Sequence, residues 1–270
     1  KGIMSIKDGD FEKVFEQIVG TWMDIYPTCP IVLSGMIGSR QGWLEAPYIE
    51  CPAQLNQLAK KLTVINLMRK RKVFLVPGLT FKDEEGIPDV MRGEEIQILG
   101  SSSTVDQKEQ LICLPGSHSK WVRVSCGNVI AFSTYMTGET YEAVRKNTIL
   151  SKTLEPDTWS EEAFMSGVQY SKRNKNILSQ LFHVRTQILF HQLSTDESTS
   201  FISGLLIGHE LKSALQNSHG LKIHLIGDMA LTKIYGDAIS EFGRTVIQVD
   251  TDIVTAGYYA LLKQIAEHVE

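Results

Sequence analysis

The chain has 270 residues, 43% hydrophobic and 21% charged, an ordinary globular balance that excludes collagen, coiled coil and general disorder. Its 27 basic and 31 acidic residues give a formal charge of -4, so no basic excess marks it for nucleic acid or an anionic membrane. Charged and polar residues interrupt each apolar run before membrane-spanning length, and Lys1–Asp10 contains no apolar signal core. The four cysteines, Cys29, Cys51, Cys113 and Cys126, have no C-x-x-C spacing, so neither a zinc knuckle nor a redox motif is present. Reduced, mostly buried thiols in a cytoplasm are expected.

In chain order, Phe11, Phe15, Ile18, Val19 and Trp22 fall on one stripe and predict a helix over 11–25, with Asp10 placed as N-cap. Pro27 and Pro30 stop it, and Ile31-Val32-Leu33 reads as a buried strand. A glycine-rich turn and a polar, aromatic loop run to Cys51-Pro52, followed by an expected helix over 53–62 and a strand over 73–76. Residues 82–88 (KDEEGIP) form a charged, turn-rich insert, and Val90–Leu99 has helical spacing. The polar break 101–106 is the expected boundary between two lobes. Strands over 111–114, 121–125 and 129–135 follow, separated by turns at 115–120 and 126–128. Helices are expected over 140–149, 161–174, 176–190, 200–215, 231–242 and 252–269, with strands at 222–226 and 246–249. This order argues a mixed α/β chain in two lobes.

P-loop, nucleophile-elbow, zincin and dinucleotide signatures are absent, and the histidines are scattered. Four segments carry chemistry instead. In Ser34–Pro52, Arg40 offers a fork suited to a carboxylate, Gln41 and Glu45 suit sugar hydroxyls, and Trp43 and Tyr48 supply a flat wall; a packed connection is the plainer reading. In Pro88–Gly100, the carboxylates of Asp89, Glu94 and Glu95 bracket Arg92, a set that can supply a general base, although acidic helix starts look the same. In Leu111–Tyr135, the turn Gly116-Ser117-His118-Ser119-Lys120 offers backbone N–H groups, hydroxyls and an ammonium for a phosphate, and Thr137-Gly138 opens a helix able to hold an anion. Gly204 and Gly208 allow close approach of another element, which helix packing explains equally well, and Gly227 sits where a nucleotide can lie against the backbone.

The segments GSRQGW, EAPYIECPA, VPGL, DVMRGEE, LPGSHSKWV, TYMTGE and SGLLIGHEL together resemble the 2-dehydro-3-deoxygalactonokinase family, from about Ile31 to the C-terminal helix. The resemblance implies the two-lobe ribonuclease-H-like fold of actin, Hsp70 and sugar kinases. It implies transfer of the ATP γ-phosphoryl group, with Mg2+, to the 6-hydroxyl of 2-dehydro-3-deoxy-D-galactonate in bacterial galactonate catabolism. Glu94 is then the expected base with Asp89 as rival, Arg40 the carboxylate holder with Arg92 second, and Ser39–Tyr48 the substrate segment. Ser117, His118, Ser119 and Lys120 would hold phosphates, Gly227 would pass the adenosine, and Ala256-Gly257 would be the small-residue contact of the last helix. Lobes over 1–100 (sugar acid) and 101–252 (nucleotide) are expected, with 253–270 returning to the first. The family's opening D-x-G-T-T-N-like hairpin, which carries a metal-organising Asp, has no counterpart before Phe11; the expectation is a first-lobe sheet lacking that part, with the metal ligands unknown. The partners implied are a small sugar acid and ATP, with a homodimer admitted and neither nucleic acid nor membrane. A kinase for another keto-deoxy or aldonic acid and a non-catalytic sugar-acid sensor of the same fold are the alternatives.

Overall fold

The computed structural model describes residues 3, 6, 9–67, 71–101, 108–154, 159–173, 175–216, 218–249 and 252–269. The chain divides into two compact units, one of residues 1–109, 123–132 and 252–270, the other of 110–122 and 133–251. The polar break expected at 101–106 lies outside the described residues apart from Ser101.

In the first unit, α1 (Phe11–Ile25) turns Phe15, Val19 and Met23 onto Leu67 and Val73, while Ile18 and Trp22 of the same stripe stay exposed. Asp10 occupies the N-cap position, but its side chain caps nothing and pairs with Lys13 instead. Behind α1 a sheet of order β1-β5-β4 joins β1 (Ile31–Leu33), β4 (Thr63–Asn66) and β5 (Lys72–Leu75), with β1 parallel and β4 antiparallel to β5. A second sheet joins β2 (Tyr48–Glu50), β6 (Gly78–Lys82) and β7 (Pro88–Met91). The charged insert is the β6–β7 hairpin turn, where the Asp83 carboxylate accepts from the backbone N–H groups of Glu85 and Ile87. Two helices, α2 (Glu94–Ser101) and α8 (Ile253–Val269), then cross backbone to backbone. A Cβ at Gly100 would overlap the Ile253 carbonyl, and one at Gly257 the Ile96 carbonyl, so the small-residue contact expected of the last helix is present.

The expected helix at 53–62 is instead a short strand, β3 (Ala53–Gln54), followed by a 3-10 helix over Leu55–Lys61. The helix expected over 90–99 is likewise split. Residues through Met91 pair with β6, Gly93 takes φ +112°, and α2 starts only at Glu94.

The second unit is built on parallel strands β8 (Gln110–Leu114), β11 (Lys222–Leu225) and β12 (Val246–Gln248), with β11 between the other two. β8 is buried along its whole length, which is why it reads as an unbroken apolar run. It is followed by β9 (Ser119–Ser125) and β10 (Asn128–Tyr135), joined by a turn in which Cys126 and Gly127 both take positive φ. Residues 123–132 of that hairpin belong to the first unit, where β3 pairs antiparallel with β10.

Among the described residues of the second unit, five α-helices accompany this sheet: α3 (Thr137–Asn147), α4 (Glu161–Ser171), α5 (Ile177–Leu189), α6 (Ser198–Ala214) and α7 (Met229–Glu241). Ser160, Asn176 and Asp228 cap α4, α5 and α7 with side-chain oxygens. α6 is almost wholly buried and crosses α4 at glycines. A Cβ at Gly204 would overlap the Phe164 carbonyl, one at Gly208 the Ser171 side chain, and one at Gly167 the Phe201 carbonyl. Gly204 and Gly208 therefore serve helix packing, the reading that their spacing allowed equally. Cys51 and Cys113 are buried whereas Cys29 and Cys126 are exposed, all four free, so the expectation of mostly buried thiols holds for half of them. No helix among the described residues is long and apolar enough to cross a membrane.

Candidate active site

At the junction of β7 and α2 two acidic side chains fold back onto the backbone that precedes them. The Arg92 N–H donates to Glu94 Oε2 at 2.9 Å, and the Gly93 N–H donates to Glu95 Oε2 at 2.6 Å. Both carboxylates thereby cap the N-terminal turn of α2, where the helix dipole favours negative charge. They differ in exposure. Glu95 is fully buried, and burial pushes its carboxyl up to about 8; its Oε1 has no hydrogen-bond partner. Glu94 is half-buried and lines a cavity of about 320 Å³ together with Ser34, Arg92, Gly93 and Gln97. That volume suits a small polar ligand. The Ser34 hydroxyl at its edge lies 2.7 Å from the Tyr258 hydroxyl.

Arg92 is the unusual member of this group. It is 9% exposed, its guanidinium carbon lies 4.3 Å from the centroid of the Tyr48 ring, and Nη2 donates to the Ala46 carbonyl at 2.8 Å. Nε and Nη1 are buried without a partner. A Cβ at Gly38 would stand 3.2 Å from Nη1, so the glycine-rich turn after β1 leaves the guanidinium its room. Buried donors left unpaired are costly, and a planar cation with free donors is suited to a carboxylate or phosphate.

The other residues expected around it are differently disposed. Arg40 is exposed and pairs with Glu45 at 3.0 Å, and Gln41 is exposed beside them. Trp43 packs on Phe15, ring centroids 5.2 Å apart, and so belongs to the α1 core cluster. The Ser39 hydroxyl donates to the Met36 carbonyl within its own turn. Asp89 sits in β7, its carboxylate accepting from the Val90 N–H. Of the side chains expected to bind substrate in that segment, Tyr48 is thus the one that meets Arg92, beside the Ala46 carbonyl.

In the second unit, the turn after β8 packs against the start of α3. A Cβ at Gly138 would collide with the Gly116 carbonyl and Ser117 Cα, and the Glu139 N–H donates to the Ser117 carbonyl at 3.0 Å. The turn is shorter than expected, because β9 begins at Ser119 rather than Trp121. Ser117 and His118 are exposed, with His118 Nε2 2.5 Å from Glu139 Oε2. Ser119 is buried, its hydroxyl 2.8 Å from that of Tyr235, and the buried Lys120 donates to the Thr134 hydroxyl at 2.7 Å. Gly227 takes φ +149° and faces Pro115.

Sequence reasoning passed over Glu210. Its carboxylate is buried, accepting from Trp121 Nε1 at 2.7 Å and the Tyr235 hydroxyl at 2.8 Å, with Ser119 and Thr137 completing the donors. Burial pushes this carboxyl above the usual range, and the four donors pull it back. The available signal was a single acid in the buried run of α6. Among the described residues no group of three or more His, Cys, Asp or Glu is placed to hold a metal ion.

Comparison with known proteins identifies relatives of the chain. A protein of Rhizobium meliloti (strain 1021) named "Probable 2-dehydro-3-deoxygalactonokinase" is 39% identical over 242 residues, covering 87% of this chain and 78% of its own. The 2-dehydro-3-deoxygalactonokinase of Escherichia coli (strain K12) is 31% identical over 257 residues, covering 95% and 84%. A crystal structure from Sinorhizobium meliloti, provisionally assigned as a 2-dehydro-3-deoxygalactonokinase, superimposes with TM-score 0.84 at 35% identity over 94% of this chain and 86% of that one. The mixed α/β fold is therefore shared with that structure, and the resemblance carried by the sequence motifs holds. The family described as 2-keto-3-deoxy-galactonokinase matches residues 1–261, and the chain belongs to that family.

Proposed function

We propose that the chain phosphorylates the terminal 6-hydroxyl of 2-dehydro-3-deoxy-D-galactonate at the expense of ATP, a step of D-galactonate catabolism. The observation that carries this reading, beside family membership, is the pairing of Arg92 and Glu94 on one small cavity. The substrate has a carboxylate at one end and a primary hydroxyl at the other. It needs a fixed cation and a base. Arg92 supplies the cation, because its Nε and Nη1 have no other partner, whereas Arg40 is already neutralised by Glu45. Glu94 supplies the base: its carboxylate takes the hydroxyl proton as that oxygen becomes the nucleophile. Asp89 is the weaker candidate, since it is not among the residues that line the cavity. Tyr48 stacks on the Arg92 guanidinium and holds its plane.

For the nucleotide, the residues that fit are Gly116, Ser117 and His118 of the turn, Thr137 and Gly138 at the α3 N-terminus, and Gly227. The support is that the turn and the helix start form one surface with no room for a Cβ at Gly138. Ser119 and Lys120 are turned inward and act as supports of that turn. ATP, when bound, supplies the phosphoryl group, and the work left to the protein is mostly positioning and charge stabilisation. Mg2+ accompanies ATP in this reading, but the described carboxylates form no cage for it, so no side chain is assigned to the metal.

The test is a coupled ADP-release assay with 2-dehydro-3-deoxygalactonate, with the product identified by mass spectrometry. Substrate-dependent ADP and a singly phosphorylated acid are expected. ADP release that ignores the sugar acid, or turnover confined to a different acid, contradicts the proposal.

A further inference from the structure

We infer that Glu210 is a positioning residue of the nucleotide site, its buried carboxylate tying the first residues of β9 to the first residue of α3 and so fixing the two segments that face the phosphates. The inference rests on the assignment of those segments made above. Glu210 lies in the middle of α6, is 3% exposed and has Leu206, Ile207 and Leu211 as buried neighbours on its own helix. Its four side-chain hydrogen-bonding partners are Thr137, Trp121, Tyr235 and Ser119, none of them a cation. A carboxylate has about four acceptor sites, so this set fills it.

The donors come from three elements, and two of them sit where the phosphates are placed. Ser119 and Trp121 are two apart on β9 and turn to the same side, as strand alternation requires, while Lys120 between them bonds Thr134. Thr137 opens α3, and the residues after it close on the turn again: Gly138 packs on Gly116 and Ser117, and the Glu139 N–H donates to Ser117. The result is a closed circuit from Glu210 through Thr137 and Gly138 to Ser117 and back along Ser119 and Trp121. Tyr235 anchors the circuit to α7, and its hydroxyl lies 2.8 Å from both Ser119 Oγ and Glu210 Oε2. For stability alone, well-packed apolar residues serve as well as a buried charge. A fully satisfied acceptor hub instead fixes one geometry, which is what a phosphate turn needs.

The experiment uses Glu210→Gln and Tyr235→Phe in the full chain, with binding of Mg-ADP and of the sugar acid measured separately by calorimetry, and melting temperature as a control. The carboxamide presents one acceptor oxygen in place of two, so some donors are released. Glu210→Gln is expected to weaken Mg-ADP binding about ten-fold or more, the scale of hydrogen bonds to a charged group, with sugar-acid affinity unchanged. The Trp121 indole N–H resonance should shift in the same variant. Tyr235→Phe removes one donor to Glu210, at a residue not assigned to the nucleotide, and should weaken Mg-ADP binding by a smaller factor, again without touching the sugar acid. Unchanged Mg-ADP affinity in both variants, or equal losses for both ligands, overturns the inference. If Glu210→Gln does not fold, the Tyr235→Phe result decides alone. A wild-type chain that binds the sugar acid but no nucleotide would instead overturn the assignment of the phosphate segments, and the inference with it.

Discussion

The two units treat their buried charges in opposite ways. In the second, Glu210 has four donors around it and belongs to a closed network. In the first, Arg92 keeps two buried nitrogens unpaired and Glu95 keeps one oxygen unpaired, beside a cavity. Buried polar groups in folded proteins are almost always hydrogen-bonded, so an orphaned set next to an opening marks where a ligand finishes the network. A finished network marks scaffold. The contrast separates the group that should touch substrate from the group that should only hold others in place.

The largest effect should come from the base. Glu94→Gln keeps an oxygen for the Arg92 N–H and should lower kcat about 10²-fold or more with little change in KM. Normal turnover in that variant would transfer the role to Asp89. Next comes the cation. Arg92→Met preserves stem volume but removes the donors, and should raise KM for the sugar acid on the order of 100-fold, as for truncation of a buried charge partner. Arg40→Ala, at an exposed ion pair, should shift the same KM by less than about three-fold. Steady-state kinetics on the two variants sharpen the distinction between paired and unpaired arginines.

Packing effects are expected to be smaller. Gly204→Ala forces a methyl into the Phe164 carbonyl and should cost about 1–3 kcal/mol in chemical denaturation, without a selective change in either KM. A selective rise in ATP KM would restore the nucleotide role to α6. The remaining effect is a pH dependence and concerns Glu95. Its carboxyl is raised from 4.5 to about 8, so between those values the native state binds more protons than the unfolded chain. Its contribution to stability is therefore fully present below pH about 4.5, declines as pH rises and levels off above pH about 8. Glu95→Gln keeps an acceptor for the Gly93 N–H and removes the titration. Its melting temperature should gain on wild type from pH 6 to about 8 and run parallel to it above that, and curves parallel throughout would contradict the assignment.

Much of the second unit was legible because its elements are long or continuously apolar. β8 is buried throughout, and α4 to α7 have 11 to 17 residues each. The first unit was read less well. β2, β4, β6 and β7 have three to five residues each, and none is buried throughout, so their pairing depends on partners that periodicity does not reveal. The site was legible in its residue types: Arg92, Glu94, Ser117 and Thr137 stand in the segments where acids, cations and turns cluster. Sequence does not show which charges are already spent. Arg40 looked the better carboxylate holder until its pairing with Glu45 was visible. Glu210 escaped notice for the same reason, since Trp121 lies 89 positions away and Tyr235 lies 25 away.

The central claim is that the guanidinium of Arg92, whose Nε and Nη1 have no partner, receives the substrate carboxylate. The direct test compares kcat/KM for 2-dehydro-3-deoxygalactonate and for the same sugar with its carboxylate reduced to an alcohol, in wild type, Arg92→Met and Arg40→Ala. The account predicts strong discrimination in wild type and Arg40→Ala, and its collapse in Arg92→Met. Discrimination that survives in Arg92→Met and disappears in Arg40→Ala would contradict it.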